Sequence, residues 1–216
     1  NPGIKIIQGE SGSPSEPNGN GAMCKGNWSQ DKQAKLLLRR LIVDLDTEVE
    51  FTSWFTTVDM SEALYGENGN VASYLDYGYF GILGAQFDAE GKSIGTFVPK
   101  KSYYALKNLC GLFGRDGAVP ALLPIFPMGE HYTERVFGYT VAGRELAHFG
   151  FRKPNGASAY FYYKPADLMT ETYDGLTSLT VDMPEEKVRL VDPMDGSVYE
   201  IPGEMKKRDG GVYVLD

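Results

Sequence analysis

Glu10 is the carboxylate whose setting first suggests chemistry. In Ile6-Ile7-Gln8-Gly9-Glu10-Ser11-Gly12 it closes a β-branched run and precedes a stretch rich in Gly, Ser and Pro. If that run is a strand of a (β/α)8 barrel, Glu10 lies at the strand's C-terminal end, the face on which barrel enzymes build their sites. Cleavage of a glycosidic bond uses two carboxylates, one to donate a proton and one to attack or to activate water. Loops of this kind often carry catalytic groups. A solvated loop-edge glutamate, or a hydrogen bonder of the N-cap type, is the alternative. Trp54 has a similar position near the end of Thr52-Ser53-Trp54-Phe55. An indole can stack on the apolar face of a sugar ring while its N–H bonds a hydroxyl. The competing reading is a core Trp between barrel and helices. The segment from Thr56 to Pro99 then holds Tyr65, Tyr74, Tyr77, Tyr79 and Phe80 beside Asp59, Glu62, Glu67 and Asp76. Aromatics with carboxylates suit the rim of a sugar cleft, with Asp59 and Tyr65 as candidate substrate contacts. A tyrosine-rich loop packed on itself fits the same residues.

Other chemistries lack their residues. His131 and His148 are the only histidines, and no Cys/His spacing suggests zinc, so no metal site is expected. No nucleophile elbow is present. No Gly-rich loop is followed by Lys-Ser/Thr, so neither a phosphate site nor any cofactor is expected. The formal charge of −8 argues against a nucleic-acid partner. No apolar run approaches the roughly 18 residues of a membrane span. Two cysteines, Cys24 and Cys110, are too few for a disulfide framework and are expected to be unpaired.

The elements that must position these residues follow from periodicity. Ile4 to Gln8 reads as a buried strand. Ser11 to Asn27 is loop by composition. Ser29 then caps a helix in which Ala34, Leu37, Leu38, Leu41, Ile42 and Leu45 recur at three-and-four spacing, with Lys32, Lys35, Arg39 and Arg40 on its exposed face. Trp28, just before the cap, suits a hydrophobic staple. A second strand is expected over Val49 to Phe55, and strand, helix and strand in that order make a βαβ unit with parallel strands. Tyr79 to Phe87 and Ser93 to Val98 flank a turn at Asp88-Ala89-Glu90-Gly91 and predict a hairpin. A second helix is expected from Ser102 to Phe113. Beyond Gly114 the chain shows short strand-like runs between turn signals, the pattern of a β-sandwich.

The order of these motifs resembles a family. Gln8-Gly9-Glu10-Ser11-Gly12, the helix with Gln33-Ala34-Lys35-Leu36-Leu37-Leu38-Arg39-Arg40, Thr52-Ser53-Trp54-Phe55 and Lys101-Ser102-Tyr103-Tyr104-Ala105-Leu106 are similar to the seventh and eighth βα units of clan A retaining glycoside hydrolases. Val191-Asp192-Pro193-Met194-Asp195-Gly196-Ser197-Val198-Tyr199 resembles a late hairpin of their C-terminal sandwich. The resemblance implies a fold that is α/β plus all-β, with a partial (β/α)8 barrel over residues 1–114 and an antiparallel β-sandwich over 115–216. It implies that Glu10 is the nucleophile and that Trp54 floors the sugar subsite. It also implies a carbohydrate substrate and a secreted or periplasmic setting. The acid/base carboxylate of that clan sits at strand four, usually in an Asn-Glu pair, and no counterpart occurs here. The chain is therefore expected to be one portion of a longer barrel, inactive alone, partnered by the remaining strands or by a second copy. A non-catalytic carbohydrate-binding or structural β-sandwich module is the rival reading.

Overall fold

The helix-period run beginning after Ser29 folds as expected. In the computed structural model, α1 spans Gln30–Asp46, and the Ser29 hydroxyl accepts the Lys32 amide at 3.3 Å. Ala34, Leu37, Leu38 and Ile42 are buried on one face. Trp28 is buried as well, its indole N–H donating to the Met23 carbonyl at 2.9 Å. The structure describes residues 3–17, 23, 26–60, 79–88, 92–114, 117–136, 139–143, 146–165, 168, 170–181, 188–203, 206–209 and 212–215. They divide into two compact units, Asn1–Leu112 with Pro193–Asp195, and Phe113–Asp192 with Gly196–Asp216.

In the first unit, β1 (Ile7–Ser11) pairs in parallel with β2 (Phe51–Trp54), and α1 connects them. The backbone of Thr56–Asp59 continues beside Phe80–Leu83, with hydrogen bonds from Thr56 N to Phe80 O and from Ile82 N to Thr56 O, and a parallel bridge between Val58 and Leu83. A hairpin follows, β3 (Leu83–Phe87) with β4 (Ser93–Pro99), and leads directly into α2 (Lys101–Phe113). Gly114, at φ 72°, follows α2 in the left-handed conformation that commonly ends helices and that a β-carbon disfavours.

Two expectations need correction. The first strand starts at Ile7 rather than Ile4, and it is not buried: Ile4, Ile6 and Ile7 are 62–70% exposed. β-Branched residues signal extended backbone, but burial requires something to pack against, and the described residues supply α1 on one side only. Arg40 is not a solvated surface charge either. Its guanidinium reaches both carboxylate oxygens of Asp44, at 3.0 and 2.9 Å, and the Gln8 side-chain oxygen at 2.9 Å. Asp44, nearly fully buried, also accepts the Thr52 hydroxyl at 2.8 Å. One Arg–Asp pair thus ties α1 to both parallel strands.

The second unit is antiparallel. β5 (Val119–Pro120), β8 (Ala147–Arg152) and β9 (Ser158–Tyr163) form one sheet in the order β5-β8-β9. β6 (Ile125–Val136), β7 (Tyr139–Gly143), β10 (Thr170–Val181), β13 (Lys206–Asp209) and β14 (Val212–Leu215) form another, ordered β13-β14-β10-β6-β7. β11 (Arg189–Val191) and β12 (Val198–Glu200) pair as a separate ribbon. Phe151 in β8 is fully buried and meets Phe113 edge to face, with ring centroids 5.1 Å apart.

Candidate functional site

Parallel pairing brings the C-terminal ends of β1 and β2 together. Ile7 is level with Phe51, Gln8 with Thr52, and Ser11 with Trp54. Three steps along β1 thus match two along β2, a bulge of the kind that re-aims a side chain and is frequent beside active sites. Glu10 is the residue immediately before Ser11, within this irregularity, and it is exposed. The strand ends are then drawn tight: the Phe55 amide donates to the Ser11 carbonyl at 2.7 Å. A β-carbon on Gly12 would lie 2.0 Å from the Phe55 carbonyl oxygen, so only glycine fits this crossing. The Phe55–Thr56 peptide is cis.

Thr52 bonds Asp44 and so faces α1. By strand alternation Trp54 returns to that same side, whereas Phe51 points to the other. Trp54 is half-buried, and its indole N–H is enclosed with no hydrogen-bond acceptor among the described residues. Phe55 is also half-buried and meets Phe80 edge to face, with ring centroids at 5.8 Å. Phe55, one residue beyond β2, is a second strand-end aromatic that the sequence alone leaves without a role.

Asp59 is 7% exposed, far from the solvent-facing rim position anticipated for it. Its Oδ1 accepts the Lys100 ammonium at 2.6 Å and the Gly81 amide at 2.9 Å. Lys100 is buried too and also reaches the Ser15 hydroxyl at 2.8 Å and the Tyr79 carbonyl at 3.4 Å. Burial pushes the Asp59 carboxyl upward and the Lys100 ammonium downward, each against the attraction of the other. Beside this pair, Gln33 donates to the carbonyls of Ser13, Phe80 and Gly81 at 2.9–3.3 Å and accepts the Ser102 hydroxyl at 2.8 Å. The Ser13 hydroxyl is buried with no partner among the described residues.

No family model, curated protein or solved structure matches the chain. The site is therefore judged on its own geometry. Tyr65, Tyr74, Tyr77, Glu62, Glu67 and Asp76 lie outside the described residues, as does Cys24. Cys110 is a free, exposed thiol on α2. His148 stacks on Tyr160 at 5.7 Å in the second unit. Among the described residues, no group of three His, Cys, Asp or Glu side chains could hold a metal ion, and no helix is long and apolar enough to cross a membrane.

Proposed function

We propose that the chain supplies the nucleophile and part of the sugar cleft of a retaining glycoside hydrolase. In this reading the first unit is the last two βα units of a (β/α)8 barrel, and the second is its C-terminal β-sandwich. The observation that carries it is the parallel β1–α1–β2 unit, whose paired strand ends carry an exposed carboxylate, Glu10, one residue before Ser11, the residue that is level with Trp54 and whose carbonyl accepts the Phe55 amide. A carboxylate on a bulged strand end can attack an anomeric carbon in line, and an aromatic face next to it can hold the apolar side of the ring.

Glu10 would form the covalent glycosyl intermediate, and a second carboxylate would protonate the leaving oxygen and then activate water. That second carboxylate belongs to strands beyond this chain. Support comes from β1, which pairs only with β2 among the described residues, and from Ile7 and Phe51, 62% and 57% exposed on the side away from α1. An open edge with a bare apolar face invites further strands. The remaining barrel strands are the proposed partner, and self-association through β1 is the fallback when they are missing.

The test is Glu10→Gln in the intact, full-length protein. Turnover of an activated aryl glycoside should fall by several orders of magnitude with the melting temperature unchanged, as loss of a covalent catalyst demands. A 2-fluoro glycoside should label the wild-type peptide containing Glu10, detected by mass spectrometry. Retention of more than about a tenth of the activity, or a label elsewhere, rules the assignment out.

A further inference from the structure

The Lys100–Asp59 pair is buried, and among the described residues it joins the segments that follow β1 and β2 to the one that precedes β3. Its acceptors come from three places. Ser15 follows β1, Asp59 follows β2, and Tyr79 precedes β3. An ammonium has three N–H donors, and all three find oxygen here. Asp59 passes the connection on, accepting the Gly81 amide while its own amide donates to the Leu83 carbonyl at 3.0 Å. Ser15 repeats the pattern, with both its amide and its hydroxyl 3.0 Å from the Tyr79 carbonyl.

Stability alone gives little reason for such a pair. Removing two charges from water can offset or exceed their attraction, and well-packed apolar replacements of similar volume are often neutral or stabilising. The pair's directional bonds do something apolar packing cannot do. Between Ser11 and Ser15, and between Trp54 and Asp59, only a few residues separate each strand end from the shared ammonium. The Gly12–Phe55 crossing lies within those two spans. A slip of either segment would move Glu10 and Phe55 relative to one another.

We infer that Lys100 and Asp59 are positioning residues that hold the segments after β1 and β2 in the register needed by Glu10, without contacting substrate. The inference rests on the glycosidase reading of Glu10. A misplacement of about 1 Å can lower a rate roughly 100-fold even when the mutation lies far from the reacting atoms.

The decisive variant is the double replacement Lys100→Met with Asp59→Leu, made in the intact protein, because either apolar replacement alone leaves its partner buried with neither the counter-charge nor the hydrogen bond and can unfold the chain. Asp59→Asn, which keeps the shape and one acceptor oxygen, is the conservative partner. Three quantities are read: melting temperature, kcat and KM on an aryl glycoside, and amide exchange at Ser15 and Phe55. The expected result for the double variant is an unchanged or higher melting temperature, kcat lowered about 10- to 100-fold with KM within about threefold, and exchange at those two amides at least about tenfold faster. Asp59→Asn should recover most of the lost kcat. A double variant that melts normally and keeps both its kcat and its exchange protection overturns the inference. So does faster exchange with unchanged kcat. A Glu10→Gln protein as active as wild type overturns the glycosidase reading instead, and the exchange data then judge the clamp by itself.

Discussion

At the centre of the first unit sit Lys100, Asp59, Gln33, Ser15 and Ser102, all buried and all hydrogen-bonded. At the centre of the β5-β8-β9 sheet sits Phe151, fully buried against Phe113, with Ala121 close over Gly150. The first arrangement specifies direction, since each donor must meet its acceptor along a line. The second supplies contact area, which is favourable but tolerant of small rotations. A site built on strand ends needs the first kind of interior, and a supporting sheet needs only the second. The comparison therefore separates what fixes geometry from what fixes stability.

Changes in each interior can break or sharpen it. Phe151→Ala should have the largest effect on stability, about 3–5 kcal/mol in chemical unfolding, because a fully buried ring leaves a cavity. A loss below about 1 kcal/mol would show that the second unit does not depend on its aromatic interior. The polar interior should respond chiefly to pH. Burial raises the Asp59 carboxyl, so between its ordinary value of 3.8 and the shifted one the folded state holds more protons than the unfolded state. Stability contributed by the wild-type carboxyl should therefore be greatest below 3.8 and should decline as pH rises through that window. Unfolding curves of wild type and Asp59→Asn across the acid range should converge or cross in that sense. Wild type gaining on the variant with rising pH would reverse the sign and imply that Lys100 dominates. The smallest effect expected is at the entry to α1. Ser29→Ala removes a 3.3 Å cap to Lys32 and should cost about 1 kcal/mol.

How far the sequence could be read follows the same division. Ala34, Leu37, Leu38 and Ile42 announced α1 because apolar periodicity is local, and the hairpin of β3 and β4 was legible for a similar reason. β9, at Ser158–Tyr163, is one of the short strand-like runs between turn signals that mark the chain beyond Gly114. Ile4 and Ile6 are exposed despite their β-branched run because periodicity reports backbone extension, not what covers it. The polar interior was not legible at all. Gln33 and Asp44 fall on the helix face that apolar spacing marks, and nothing local says that a glutamine there will hold three carbonyls. Asp59 and Lys100 stand 41 residues apart, and only the parallel arrangement of the strand-end segments brings them to 2.6 Å. Glu10 stands out by position alone, at the end of a strand in a parallel unit, and its proposed role rests on that place.

The pairing of β6 with β10 bears on time rather than geometry. β8 and β9 join through the short Lys153–Ala157 turn, and hairpins of that kind close in about 1–10 μs. β10 instead meets β6 from Val136↔Thr170 out to Ile125↔Val181, contacts about 34 to 56 residues apart in the chain. Its other edge waits for β14, at Leu179↔Leu215. During synthesis β6 and β7 emerge first, then β8 and β9 zip up, while the twelve-residue strand that completes the larger sheet follows later and its outer neighbour later still. For that interval a long edge stays open to any other nascent chain nearby. Yield on expression at different temperatures, more than equilibrium stability, would then reflect how quickly this one sheet is completed.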